Sequence, residues 1–331
     1  MRKRSDFRRH VEIESELLEQ PVFAGGTLQF VKRLSARHSE LLEYKFQSRS
    51  GVKSVFVKQQ APGANAEQAT LKEFENLGRV RTLLGLYASE SVPEPLLAVP
   101  KKGILAVSKV PGVPLAVILK KYANRLAGPF CTSAIGETTR RVGMWLRSFQ
   151  DATHGGPFTY RADSYLADLE LRLSQFHQKG FEPALAREIL QQASLHSTAL
   201  NGRIISAAAS HGDFIPQNIL IEDDEVAVVD FEGFSEGEAV YDDVGMFLGY
   251  LLVLSTYPPY SPRSLEAAHR GFLAGFLAGK TIDKPLLNIY MLKGVVRIIA
   301  DGPPLIGHWS RLGTAWMLTK RLEELAFEGM L

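Results

Sequence analysis

Residues 211–220, HGDFIPQNIL, and residues 228–232, VVDFE, place the tightest constraint on how this 331-residue chain folds. Ile219–Ile221 and Val226–Val229 are short apolar, β-branched runs on either side of Glu222-Asp223-Asp224-Glu225, the pattern of a hairpin that turns on acidic residues. Such a hairpin returns Asp230 towards Asn218. Asp213, five residues before Asn218, then stands at the opposite end of the same loop. A solvated loop holds two carboxylates and an amide by accident, whereas a site that grips a divalent cation and a phosphate chain needs them in this order. The surrounding sequence has to separate the two readings.

Helical patterning lies on both sides of the signature. Ile135, Thr139, Val142, Leu146 and Phe149 make one apolar stripe, and Tyr165, Leu169, Leu173 and Phe176 another. The run from Val244 to Leu254 is too short to cross a bilayer and reads as a buried helix. Helical patterns continue over 264–279, 286–301 and 309–327. The first third has a different texture. LEYKFQS and KSVFVKQ are strand-like runs joined by RSG, so Lys53–Gln59 is expected to be a strand entered from a turn at Ser50-Gly51. A helix carrying Leu71, Phe74, Leu77 and Leu84 follows. Residues 91–115 read as two short strands punctuated by prolines, with a turn at Lys102-Gly103 and a connector near 106–114. The pattern is a small β-rich region followed by a larger helical one, and a cleft between two such lobes is a favoured ligand site.

Composition excludes some classes. A formal charge of +2 on this length gives no electrostatic ground for a nucleic-acid partner. The one basic cluster, Arg2, Lys3, Arg4, Arg8 and Arg9, reads as a solvated terminus and is not followed by the apolar core of a secretory signal. Cys131 is the single cysteine, so an internal disulfide and cysteine-based metal sites are excluded, and a cytoplasmic location is expected.

The chemistry of phosphoryl transfer uses few parts. Metal ions neutralise the phosphates, a cation sits on the phosphate chain, and an acceptor group orients the incoming hydroxyl. Hard magnesium ions take carboxylate and amide oxygens, which Asn218 and Asp230 supply. Asp213 is the candidate to orient the hydroxyl and take its proton.

His211-Gly212-Asp213 with Asn218, followed by Asp230-Phe231-Glu232, resembles the catalytic and metal-binding motifs of the aminoglycoside phosphotransferase/choline kinase-like family, small-molecule relatives of the protein kinases. Pro216 fits that family's HGDxxPxN form, while Ile215 and Gln217 stand where the family often has His and Gly. The resemblance covers about 27–325 in family order and is specific over 211–243. It implies an α+β, two-lobed protein kinase-like fold: a small β-rich N-lobe with one main helix and a larger, mostly helical C-lobe. Residues 1–26 would be an N-terminal extension, 27–110 the nucleotide-binding N-lobe, and 111–331 the C-lobe with the catalytic loop, metal site and acceptor pocket.

The same resemblance implies Asp213 as catalytic residue and Asn218 and Asp230 as metal ligands, with His211 and Asp243 supporting the loop. In the N-lobe it implies Lys58 on the third strand, paired with Glu73 on the next helix, with Glu75 as the rival. The backbone around Ala106 to Ser108 would meet adenine. The phosphate-covering loop falls at RLSARHSEL, where no glycine occurs and Ser35 and Ser39 would stand in as donors. The implied cofactors are ATP (or GTP) and Mg2+. The implied partner is a small-molecule hydroxyl acceptor, with no nucleic acid and no membrane span, for a monomer or dimer.

Two features bear on the acceptor. Only FEGFSEGEAVY separates Asp230 from Asp242, too short for the peptide platform of a protein kinase, and Ile215 stands where protein kinases usually carry Lys. A pocket for polycationic aminoglycosides would be rich in carboxylates, yet from Leu286 onward the chain has only Asp301, Glu323, Glu324 and Glu328. Tyr290, Lys293 and Arg297 share one helix face. They are either the polar side of an amphipathic helix, with Asp301 pairing to Arg297, or a wall of the acceptor pocket. The competing reading from another class is a pseudokinase, a nucleotide-binding regulatory scaffold.

Overall fold

A five-stranded antiparallel sheet forms the first part of the molecule: β1 (Thr27–Ser35), β2 (Ser39–Ser48), β3 (Gly51–Gln60), β4 (Pro95–Val99) and β5 (Ile104–Ser108), in the order β1-β2-β3-β5-β4. The computed structural model describes residues 12–35, 39–49, 51–61, 63, 65–87 and 91–301. The basic start, Ser50 and the tail with Glu323, Glu324 and Glu328 therefore lie outside the described residues. The chain divides into two compact units, Met1–Pro111 with Ala227–Glu232, and Gly112–Val226 with Gly233–Leu331.

In the first unit the register sets Leu42 opposite Val57, and Val57 opposite Ala106, so the apolar side chains of three strands share one face. Leu42, Tyr44, Val55, Val57 and Ala106 are fully buried there, and the cover comes from Ile13, Leu17 and Phe23. Residues 12–18 are helical, and Phe23 packs edge-on to Phe46 with centroids 5.0 Å apart. A segment set apart by sequence reading as an extension thus supplies part of the sheet's core, each such side chain contributing about 1.5–3 kcal/mol of burial.

Helix α1 (Ala66–Leu84) carries a different buried stripe from the one its leucines suggest. Thr70, Glu73, Leu77, Val80 and Leu84 face inwards, while Leu71 is 44% exposed. The helix is rotated so that a carboxylate faces the interior, and the ammonium that requires this is described below.

The second unit holds two small sheets and seven helices among the described residues. β6 (Val113–Pro114) pairs with β9 (Ile219–Glu222), and β10 (Glu225–Val228) follows, its last two residues belonging to the first unit. Asp223, at φ 50°, turns the hairpin between β9 and β10. β7 (Gly156–Thr159), β8 (Ile204–Ser210) and β11 (Ser235–Ala239) form the other sheet, in the order β11-β8-β7. The helices are α2 (Leu115–Tyr122), α3 (Gly128–Ala152), α4 (Ala162–Leu173), α5 (Pro183–Leu200), α6 (Tyr241–Ser255), α7 (Pro262–Leu277) and α8 (Lys284–Asp301). Ile135, Thr139, Val142, Leu146 and Phe149 are all buried along α3, as their spacing predicts. Ser261 caps α7 by accepting the Ser264 N–H, and Pro262 begins the helix where its missing N–H costs nothing.

Two helix pairs approach closely enough to exclude side chains. A Cβ at Gly271 of α7 would strike the carbonyl oxygen of Gly136 on α3, and a Cβ at Gly294 of α8 would strike that of Gly245 on α6. Among the described residues no helix is long and apolar enough to cross a membrane.

Candidate active site

The loop after β8 is fixed from below by an aromatic stack and from the side by one buried carboxylate. Phe214, fully buried, lies parallel to Trp145 at 5.9 Å and 6.0 Å from Phe247. Its neighbour Asp213 is thereby held at the start of the turn leading to Asn218. Asp243, 1% exposed in the first turn of α6, accepts the N–H groups of His211 at 2.7 Å and Gly212 at 3.1 Å and the hydroxyl of Ser210 at 3.0 Å. Burial, partly opposed by the adjacent His211, pushes the Asp243 carboxyl above its ordinary range, and the charge of Asp242 adds to the rise. Gly212 has φ 79°, and a Cβ there would run into the Gly233 carbonyl, so only glycine fits.

His211 is fully buried and its Nδ1 accepts the N–H of Asp213 at 3.2 Å. The ring holds backbone. Asn218 donates from Nδ2 both to the Asp213 carbonyl at 3.0 Å and to its carboxylate Oδ2 at 2.9 Å. With the amide nitrogen committed in this way, Oδ1 of Asn218 is the atom that could meet a hard cation. These contacts lie within the second unit.

The first unit gathers a separate charged cluster. Lys58 on β3 donates to Glu73 at 2.7 Å and to Asp230 at 2.8 Å, and its Nζ is 3.8 Å from Glu232. Glu73, not the exposed Glu75, makes the pair. One ammonium faces three carboxylates. Burial opposes the charge on Lys58, but Glu73 and then Asp230 more than offset it and hold the ammonium above the usual lysine range. Glu73 is pushed up to about 7 by burial, which Lys58 opposes and Asp230 reinforces. The rise at Lys58 comes from the carboxylates around it, and the rise at Glu73 first from its burial and then from its like-charged neighbours.

That excess of carboxylates is a fit test for a divalent ion. Ligand oxygens of Glu73, Asp230 and Glu232 all lie within 4.8 Å of one another, and hard carboxylate oxygens suit magnesium. Asp230 has φ 69°, a left-handed conformation that costs roughly 1–2 kcal/mol for a residue with a Cβ. The turn Phe231–Gly233 that follows is secured by Asn76, which donates to the Phe231 carbonyl at 2.8 Å and the Glu232 carbonyl at 3.3 Å. Asn76 is not selected from sequence, and Glu232 only as the last residue of the Asp230-Phe231-Glu232 motif, without a role of its own. Asn76 lies three residues after Glu73 on the same helix face, and that spacing was the available signal.

A profile of the phosphotransferase enzyme family matches residues 32–280, well over half of the chain. The chain belongs to that family. Its fold is protein kinase-like, with a β-sheet N-terminal region and a helical C-terminal region. The phosphotransferase is similar to a glucosamine kinase at a TM-score of 0.58 and 17% identity, covering 96% of this chain and 99% of that one. It is similar to a choline/ethanolamine kinase family protein from Mesorhizobium loti at 0.56 and 16%, covering 96% and 95%. An ADP-bound aminoglycoside phosphotransferase, APH(2'')-Ib, gives 0.53 and 13%, covering 95% and 98%. At these identities the likeness is one of fold. No curated protein sequence matches.

The remaining sequence-selected positions of this phosphotransferase are placed as follows. Ser35 and Ser39 flank the β1–β2 connection, of which 36–38 lie outside the described residues. Ala106 is mid-strand, opposite Val57 and Leu97, with its backbone within the sheet. Ser108 donates its N–H to the Glu94 carbonyl, and its hydroxyl accepts the Glu94 N–H, each at 2.8 Å. On α8, Tyr290 is buried, Lys293 pairs with Asp242 at 2.6 Å, and Arg297 is 3.6 Å from Asp301.

Proposed function

We propose that this phosphotransferase moves the γ-phosphoryl group of ATP, with magnesium, to a hydroxyl of a small molecule. The reading rests on one observation above others: the Asn218 amide clamps the Asp213 carboxylate through Oδ2 at 2.9 Å and its carbonyl at 3.0 Å, which fixes the orientation of that side chain. A carboxylate held in one orientation, in a loop whose backbone is fixed by Asp243, positions an alcohol and accepts its proton late in the transfer. Asn218 and Asp230 would hold magnesium, which when bound neutralises the phosphate oxygens. Lys58 would sit on the phosphate chain, aligned by Glu73. The Ser35 and Ser39 turn would cover the phosphates, and the strand end at Ala106 to Ser108 would lie beside adenine.

The solved relatives named for glucosamine kinase and for the choline/ethanolamine kinase family support a small hydroxylated acceptor. An amicoumacin kinase solved with AMP-PNP and Ca2+ supports a nucleotide and a divalent ion. The test is ADP release with ATP and magnesium across a panel of sugars, amino alcohols, nucleosides and aminoglycosides. Release is expected with one class of alcohol, and Asp213→Asn is expected to lower kcat about 10²–10⁴-fold with nucleotide affinity little changed. Nucleotide binding without turnover on any acceptor, and with no effect of Asp213→Asn, would instead mark a regulatory scaffold.

A further inference from the structure

Helix α8 meets the support of the catalytic loop through one ion pair that the proposed reaction does not use. Lys293 Nζ donates to Asp242 Oδ1 at 2.6 Å and lies 5.8 Å from the centre of the Tyr290 ring. The two charged side chains are 25% and 16% exposed, so the pair is largely shielded from solvent. The other Asp242 oxygen is 3.5 Å from the Ser210 hydroxyl, and that oxygen of Ser210 also reaches Asp243 and accepts the Gly212 N–H at 3.0 Å. Asp242 and Asp243 are consecutive carboxylates in the first turn of α6, and Asp243 is the one that holds the His211 and Gly212 backbone.

Two adjacent carboxylates in a poorly solvated place repel one another, and a cation beside one relieves both. The helix N-terminus offers a further partial positive charge, smaller than that of an ammonium in contact. The groups around Asp243 are Ser210, His211 and Asp242, and behind Asp242 stands Lys293. We propose that Lys293 is a positioning residue for transfer: by offsetting the charge of Asp242 it lets Asp243 keep its grip on His211 and Gly212, and through them on the orientation of Asp213. It touches neither the nucleotide nor the acceptor. The inference rests on the kinase reading above, because it assigns Lys293 a role in aligning that reaction's hydroxyl-orienting group.

The experiment is steady-state kinetics of ADP release with magnesium, ATP and whichever panel compound gives the fastest release. Wild type is compared with Lys293→Met, Lys293→Arg, Asp242→Asn and the Asp242→Asn/Lys293→Met double variant. Lys293→Met is expected to lower kcat roughly 10–100-fold, with KM for ATP and acceptor within about twofold, as a misaligned reacting group does. Lys293→Arg should restore most of the rate. In the Asp242→Asn background the Lys293→Met effect should shrink to within about threefold, since the like charge is gone. A kcat for Lys293→Met within twofold of wild type overturns the inference. So does a rise confined to the acceptor KM, which would place Lys293 in the acceptor pocket, or a Lys293→Met loss that is just as large in the Asp242→Asn background. If Lys293→Met does not fold, Lys293→Gln takes its place in the same cycle. Asp213→Asn run alongside separates the two levels: full activity there defeats the hydroxyl-orienting role of Asp213 on which the kinase reading rests, while its loss together with a silent Lys293 series defeats only this proposal.

Discussion

Lys58 shows how one side chain sets both stability and site. Its ammonium is the counter-charge for Glu73, which is 4% exposed. Removing one partner of a buried pair leaves an uncompensated charge, at a cost of about 3–5 kcal/mol. Lys58→Met is therefore expected to lower the unfolding free energy by about that amount in urea titrations, and Lys58→Met/Glu73→Gln to recover most of it. If the double variant is no more stable than Lys58→Met, the buried charge is not the cause. Much of this was legible beforehand, because the family order supplies a lysine strand and a glutamate helix. The rotation of α1 was not. Leu71 and Phe74 made the more apolar stripe, and burying Glu73 instead depends on an ammonium fifteen residues earlier, which periodicity does not register. Asn76 escaped notice, and Glu232 was noticed only within its motif, for the same reason: their partners are more than 150 residues away in sequence.

At the level of elements, the tight helix crossings make a sharp prediction. Gly271→Val places a side chain against the Gly136 carbonyl and is expected to destabilise by about 1–3 kcal/mol or more. Gly78→Ala, within α1 and with open space around the added Cβ, is expected to be neutral or stabilising by about 0.4–1 kcal/mol. Equal destabilisation by both substitutions, read from denaturation midpoints, would show that the close crossing is not what decides. The long amphipathic helices α3 and α4 were readable from their stripes, and the β9–β10 hairpin from its acidic turn. The sheet of β7, β8 and β11 was not. Residues 204–210, IISAAAS, carry small side chains with little strand signature, and the strands on either side come from 156–159 and 235–239. Such pairing is a property of the fold and leaves no local trace. The glycines at 136, 245, 271 and 294 were present in the sequence, but only a partner helix tells a packing glycine from a weak point.

For the molecule as a whole, the proposed function makes divalent ions part of the working state, as the excess of carboxylates around Lys58 would suit. Removing them with excess EDTA is expected to abolish ADP release, and adding back magnesium to restore it. Magnesium with ATP at about 100 times its dissociation constant should raise stability by about 2.7 kcal/mol, seen as a higher Tm than with either alone. A Tm that responds equally to ATP with and without metal would contradict the metal-ligand assignment of Asp230 and Asn218.

The first compact unit is not closed by its first 111 residues, because the strip Ala227–Glu232 belongs to it. A ribosome making this chain releases Lys58, Glu73 and Asn76 long before Asp230 and the Phe231 carbonyl exist. During that interval the glutamate has its lysine but the asparagine has no carbonyl to hold, so the early segment waits, incomplete, for more than a hundred further residues to be translated. Cutting the gene after residue 111 would yield a fragment frozen in that waiting state.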